Sequence, residues 1–376
     1  MHIVIAPNAF KGSLSASLAA ASIARGLEES ELSCRLSLFP VADGGDGTVP
    51  LLVKGLQGEM ISCRVHDSLN RPMTSAFGWI PKDHTALIAL SDASGLKSLH
   101  PGELRPLEAT TFGSGELILA ALKLGARKLL IGVGGTATVD GGTGIAQALG
   151  VVFYDNNGEA IHALPSGLSA LNAIRTEKLD QRMSGCETIV LCDVENKLLG
   201  SEGAARVFGP QKGADASTVP LLEHCLENLD SVTFRETGIR MSSLVSGGAA
   251  GGAAAGLAAF LGARLVSGID FFLDCFGFDD LVDSADLTIT GEGRIDGQTK
   301  GGKGPFGVAL RAKARKVPVI GMAGSVVEGS GTEAYFDELI AINGPGQTLQ
   351  EAMQSTESNL YRAAMLLGNR LAKRGA

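Results

Sequence analysis

Five times along this 376-residue chain, an apolar, β-branched run ends in a turn that combines glycine with charged side chains. The turns read APNAFKGS (6–13), VADGGDGT (41–48), GVGGTATVDGG (132–142), CDVENKLLG (192–200) and TGEGRIDGQ (290–298). Buried strands that run into bare, charged turns, most of them followed by helical patterns, restrict the fold to the α/β class. In such folds ligands collect outside the carboxyl ends of the strands. Glycine lets an anion's oxygens reach backbone N–H groups, and a helix N-terminus adds partial positive charge. For any single one of these loops a tight turn is the favoured explanation of its glycines. The five loops together, with Lys11, Asp43, Asp46, Asp140, Asp193, Arg294 and Asp296 beside them, point to a phosphate site.

The periodicity gives the frame that would carry these loops. HIVIAPN reads as a strand, followed by a helix over 14–30 capped by Ser13 or Ser15. Residues 33–41 alternate as a second strand does, and TVPLLVKGL is expected as a helix with Pro50 in its first turn. EMISCRVHD, RPMTSAFGWI and HTALIAL alternate like antiparallel strands. KLLIGVGG and ETIVLCDV read as buried strands, and SGELILAALKLGA, TGIAQALG and 218–238 as helices. The strand–helix rhythm returns with ADLTITGEG, VALRAKARK, VPVIGMAGS and LYRAAMLLGNRLAKR. The expected architecture is two α/β domains. One is a Rossmann-like parallel-sheet domain built from both chain ends, 1–68 and 287–376; the other is an inserted mixed-sheet α/β domain, 69–286.

Composition narrows the partners. The formal net charge is −8 and aromatic residues make up 5%, with one tryptophan. A broad basic surface for nucleic acid, or an aromatic platform for single strands, is disfavoured. Six cysteines are scattered without a CxxC pair, which reads as reduced thiols in a cytoplasmic protein. Six histidines without HxH or HExxH spacing argue against zinc. The N-terminus has no signal-peptide pattern. The uncharged stretch LVSGGAAGGAAAGLAAFLGA (244–263) reaches membrane-spanning length, but glycine and alanine contribute little transfer energy and Arg264 follows at once. It is read as a tightly packed helix behind a glycine turn, with no membrane partner expected. The alternating strands of the middle segment leave an edge through which two copies could pair as a homodimer.

Known phosphate motifs fit poorly. GQTKGGKG (297–304) satisfies GxxxxGK but ends in Gly304, where a P-loop needs a hydroxyl. GVGGTA places Ala137 at the last glycine of GxGxxG, so the dinucleotide fingerprint is lost. No HRD or DFG set is present. Asp at a strand end most often caps a helix or makes an Asx turn. Magnesium held by a nucleotide needs only one or two carboxylates, so some of the five aspartates are caps in either case. Asp193 directly follows the apolar TIVLC and is the most suspicious of them. Arg294 and Lys303 are natural partners of anionic groups, with plain ion pairing to Glu292 or Asp296 as the alternative.

Taken together, APNAFKGSLSA, PVADGGDGT, TTFGSGELI, GGTATVDGGTGIAQALG, CDVENKLLGSEGAARVFGPQKGA, GGAAGGAAAGLAAFLGARLVSGID and TGEGRIDGQTKGGKGPFGVA resemble the bacterial glycerate kinase family of the glycerate-2-kinase type. The blocks span nearly the whole chain in the family's order. The resemblance implies ATP-dependent phosphorylation of D-glycerate to 2-phosphoglycerate, with Mg2+, in a two-domain fold whose active site lies in the cleft between the domains. Where the family pattern has GGSATNDGG this chain has GGTATVDGG, so Thr136 keeps a hydroxyl and Val139 removes an amide; the usual SGK is Gly301-Gly302-Lys303. From both lines, Lys11 and Lys303 are expected to neutralise phosphates, and Gly44, Gly45, Gly47, Gly134 and Gly135 to donate N–H groups. Arg294, Asp43 and Ser94 are expected on the glycerate. Asp193 would orient the reacting hydroxyl or hold Mg2+, with Asp296 as its rival. A kinase for another small hydroxy acid, or a non-catalytic metabolite sensor, is the alternative.

Overall fold

The computed structural model describes all residues except 163, 298–302, 328, 345 and 376, and the side chains of 374 and 375. Gly301 and Gly302, named in the sequence reading, therefore lie outside the described residues. The strands are β1 (His2–Ile5), β2 (Arg35–Leu38), β3 (Glu59–His66), β4 (Pro72–Ile80), β5 (Thr85–Ala89), β6 (Lys128–Gly132), β7 (Val152–Asp155), β8 (Leu171–Arg175), β9 (Glu187–Cys192), β10 (Arg264–Ser267), β11 (Leu287–Ile295), β12 (Val319–Val326) and β13 (Glu338–Ala341). The chain divides into two compact units, Met1–Asp43 with Gly268–Ala376, and Gly44–Ser267.

In the first unit, five parallel strands run in the order β13-β12-β11-β1-β2. Counted within the unit this is 2-1-3-4-5, the flavodoxin-type doubly wound order, which opens a crevice at the carboxyl ends of β1 and β11. Ser15 caps the helix Ala16–Glu28, accepting from the Leu18 N–H at 3.3 Å. That helix packs on Thr356–Gly375, and the pair covers one core formed with Ile3, Ile5, Ile289 and Met322. Gly26 sits at their crossing, where a Cβ would run into the Tyr361 carbonyl and come within 2.9 Å of Ala364 Cβ. The expected loop after ADLTI is strand: β11 continues through Gly291–Ile295, paired to β12 as far as Val326. Gly291 is tolerated there because a side chain would strike the Met322 carbonyl.

In the second unit a six-stranded mixed sheet runs β10-β9-β6-β5-β4-β3. The four strands from β10 to β5 are parallel, and β4 and β3 are antiparallel additions. One core collects Phe77, Ile88, Leu117, Ile131 and Val190 around this sheet; a second gathers Phe153, Leu168, Leu226 and Phe260 near the small β7–β8 ribbon. Of the glycine/alanine stretch, only Ala253–Leu261 is helix, and among the described residues no helix is long and apolar enough to cross a membrane. Its bareness has a packing cause. A Cβ on Gly251 would meet Thr138 backbone, and one on Gly256 the Gly141 carbonyl.

The unit boundaries differ from those read in the sequence. Residues 44–68 belong to the second unit, because β3 pairs with β4 along its whole length and the helix Thr48–Gly55 packs on β4 and β5. Residues 268–286 belong to the first. Phe272 packs edge-on and Phe278 tilted against Phe39, with ring centroids 6.2 and 5.1 Å away, and Arg311 binds Asp270 and Asp279.

Candidate active site

The first unit gathers its charged loops at the switch between β1 and β11. Beyond β1 the chain stays beside β11, with the Ala6 N–H on the Ile289 carbonyl and the Asn8 N–H on the Gly291 carbonyl. Asn8 Nδ2 donates to Asp43 Oδ2 at 2.6 Å, and the Gly304 N–H donates to the same oxygen at 3.2 Å. Gly304 opens the helix Gly304–Ala314, so Asp43 places its charge at the positive end of the helix dipole. Lys303 is the residue preceding that helix, and its Nζ stands 4.0 Å from Glu292 Oε2. Arg294 Nε lies 3.0 Å from Asp296 Oδ2, with 65% of the arginine side chain exposed. The ion pair offered as the alternative for Arg294 is thus formed with Asp296. The pair is open to solvent on the arginine side, from which an incoming carboxylate can reach the guanidinium. Lys11 is exposed, and its backbone runs beside Gly293, where a Cβ would sit 3.7 Å from Lys11 N.

The second unit brings three further loops together. Gly44 and Gly47 take left-handed backbone at φ 98° and 83°, conformations that favour glycine. The Gly44 N–H donates to Thr48 Oγ1 at 3.1 Å, and that hydroxyl donates to the Gly45 carbonyl at 2.7 Å. The Gly134 N–H donates to the Gly44 carbonyl at 3.2 Å. A Cβ on Gly134 would lie 2.5 Å from Gly45 Cα and 3.3 Å from Asp193 Oδ2; one on Gly135 would lie 3.0 Å from Asp46 Oδ1. The loops 44–47 and 132–136 and the end of β9 therefore meet backbone to backbone. Asp46 Oδ2 is also 2.6 Å from Lys97 Nζ. Its charge, together with loss of solvation as the larger cause, pushes the Asp92 carboxyl up to about 6.

This geometry reassigns several residues. The N–H groups of Gly44 and Gly134 are engaged inside the protein, so these two glycines serve close loop packing rather than donation to a ligand. Gly47 and Gly135 have no acceptor for their N–H among the described residues, and a Cβ on Gly47 would meet nothing within 4 Å. Gly45 lies at the contact of the two loops. Ser94 is fully buried, and its Oγ lies 2.8 Å from Ser114 Oγ. That contact takes the place of the glycerate contact expected for it. Asp140 is a structural cap, accepting from the N–H groups of Thr111, Gly142 and Gly144 and from the Thr111 hydroxyl. Burial raises its pKa against the pull of those donors.

Sequence reasoning missed Asn8, Lys97, Asp92 and Lys212. Asn8 had a signal, a polar amide directly after a buried strand. Lys212 is 3% exposed, with its Nζ 2.6 Å from the Thr138 carbonyl and 3.2 Å from Thr136 Oγ1. Desolvation pushes it down to about 7, with the Asp140 charge opposing. Among the described residues no three His, Cys, Asp or Glu side chains are grouped to hold a metal by themselves. A metal arriving with nucleotide phosphates needs only one or two carboxylates. Asp193, facing the bare backbone of Gly134, fits that requirement.

Residues 3–372 match the glycerate kinase family. A glycerate kinase of Bacillus subtilis (strain 168) is 42% identical over 366 residues, covering 97% of this chain and 96% of its own. A glycerate 2-kinase of Escherichia coli (strain K12) is 41% identical over 379 residues, covering 99% of this chain and 98% of its own. A crystal structure of a protein assigned as glycerate kinase 2 from Salmonella typhimurium LT2 superposes with a TM-score of 0.83 at 39% identity, over 100% of this chain and 99% of that one.

Proposed function

The chain belongs to the glycerate kinase family, and from that premise we propose that it transfers the γ-phosphoryl group of ATP to D-glycerate, giving 2-phosphoglycerate and ADP. The observation that carries the reading is full-length similarity to a glycerate 2-kinase, in a chain whose charged strand-end loops converge within each unit. In the reaction a glycerate hydroxyl oxygen bonds to the γ-phosphorus while the bond to the β-bridging oxygen breaks. Such transfer is mostly positioning and charge neutralisation around a loose transition state.

The side chains divide those tasks. Arg294 exchanges Asp296 for the glycerate carboxylate, which its planar fork can grip with two N–H groups. Asp193 orients the attacking hydroxyl, and Asp296, released from Arg294, is the second carboxylate able to do so. Lys11 and Lys303 neutralise phosphate oxygens, and the open N–H groups of Gly47 and Gly135 donate to them. Asp43 acts through others: it fixes Asn8 and the start of the 304–314 helix. Asp193 would hold the Mg2+ that accompanies ATP, and the ion would supply positive charge against the phosphates. Six free cysteines suit a reducing compartment, and the reading places the enzyme in the cytoplasm. Phosphorus NMR of the product formed from D-glycerate and MgATP tests the reaction and its regiochemistry together. A 3-phosphoglycerate signal refutes the assigned position, and absence of any phosphoglycerate refutes the activity.

A further inference from the structure

Lys212 is the one lysine among the described residues that is almost wholly buried. It ends the tight turn Pro210–Lys212, followed by Gly213 in left-handed backbone at φ 96°, where a Cβ would press on Leu104. The turn therefore has little freedom, and its lysine is delivered beneath the loop that carries Gly134 and Gly135. Both of its hydrogen-bond acceptors, Thr136 Oγ1 and the Thr138 carbonyl, belong to that loop. On its other side Thr136 is bridged to Gly95, with the Leu96 N–H on the Gly135 carbonyl and the Ala137 N–H on the Ser94 carbonyl. The loop is thus clamped between a backbone ladder and a buried cation.

Plain structural support does not call for a charge here. A buried ammonium is strongly penalised unless paired, and an apolar side chain of similar length would fill the space at less cost. The opposite charge that acts on it, Asp140, already accepts four hydrogen bonds from Thr111, Gly142 and Gly144, and none from Lys212. Two of the three ammonium donors have partners on the loop. We propose that Lys212 is a positioning residue for nucleotide binding: it sets the Thr136 hydroxyl and the Gly135 turn from beneath and supplies positive charge to the phosphates that turn receives.

The inference rests on the kinase reading and adds a specific electrostatic consequence. A bound polyphosphate favours the charged form of Lys212, so ADP binding takes up a proton near neutral pH and weakens as pH rises. Asp140, on the same loop, is the one charged group acting on Lys212; the turn neighbours Gln211 and Gly213 and the facing Leu104 carry no charge.

The experiment is calorimetric titration of the full-length protein with MgADP at pH 6.5 and 8.5, for wild type, Lys212→Met, Lys212→Arg and Thr136→Val, with melting temperatures measured alongside. The titration of ADP itself is common to all four proteins and cancels in their ratios. Expected are at least tenfold weaker binding in the Met variant at pH 6.5 and an affinity ratio between the two pH values closer to one than in wild type. The Arg variant should hold the low-pH affinity at pH 8.5, and the Val variant should weaken binding while keeping the wild-type pH ratio. Should the Met variant fail to fold, the Arg and Val variants decide alone. A wild-type pH ratio retained in the Met or lost in the Val variant overturns the proposal, as does an Arg variant that follows the wild-type decline. Failure of wild type to phosphorylate glycerate in the product assay would instead count against the kinase reading.

Discussion

Gly134→Ala separates the two reasons a glycine can be required. Gly134 does not adopt left-handed backbone, so alanine is conformationally permitted and only space opposes it. The added Cβ would lie 2.5 Å from Gly45 Cα, whereas ordinary contact begins at 3.4 Å. The difference, 3.4 − 2.5 = 0.9 Å, must be absorbed by backbone on one of the two loops, since neither offers a flexible side chain. Overpacking of this degree costs about 1–3 kcal/mol of stability. A displacement near 1 Å at a site that acts by positioning costs on the order of a hundredfold in rate. Asp193 Oδ2 would lie 3.3 Å from the new methyl, so the shift reaches the proposed hydroxyl-orienting group. Gly47→Ala is the control. Nothing lies within 4 Å of its Cβ, and its φ of 83° imposes a conformational cost of about 1–2 kcal/mol. Denaturant unfolding and steady-state kinetics on both variants are the assay. Gly134→Ala should lose roughly a hundredfold in kcat/KM with a stability loss comparable to that of Gly47→Ala. A Gly134→Ala enzyme within threefold of wild type would refute the claim that these loops must touch.

Arg294→Lys should raise the glycerate KM about tenfold, since a point charge replaces a two-pronged grip, and leave the ATP KM nearly unchanged; initial-rate kinetics with each substrate varied will show which one suffers. Asp193→Asn should lower kcat by at least about a hundredfold in steady-state kinetics, because the proposal puts this carboxylate on the reacting hydroxyl. The Lys212 pKa is depressed, from 10.5 to about 7, so between those values the unfolded chain binds a proton that the folded chain lacks. Wild-type stability should therefore rise relative to Lys212→Met across pH 7–9, by roughly 1 kcal/mol per pH unit, as read by urea unfolding at several pH values; a pH-independent difference would contradict it.

The parts of this fold that were legible are those written in local pattern. The βα units at both chain ends and the antiparallel run from 59 to 89 follow from periodicity, because side-chain alternation and helical spacing are properties of neighbouring residues. The boundary at 286 was misplaced because what decides it is not local: residues 268–286 go with the first unit through Phe39, far back along the chain, and through Arg311. The boundary at 68 cut a hairpin, since residues 59–66 pair with the β4 strand that follows them. Strands β7, β8, β10 and β13, of four or five residues each, passed unread.

The site was legible as a set of residue types and illegible as a set of occupied bonds. Glycine at 44 and 134 satisfies both a ligand cradle and a backbone crossing, and the sequence is identical in the two cases; only the bond from Gly134 N–H to the Gly44 carbonyl decides. Asp43 reads as one more turn aspartate until Asn8 and Gly304, 35 and 261 residues away, are found on one of its oxygens. Lys212 is the sharpest instance. A lysine is almost always solvated, so residue type argues for the surface, while the rigid turn before Gly213 carries it inside. Buried, unneutralised charge is kept only where something offsets its cost, and here the two threonines it holds lie on the loop that turns Gly135 outward. On the proposed reading, the burial of one side chain, invisible in the sequence, would act on nucleotide binding through the same loop whose glycines first drew attention.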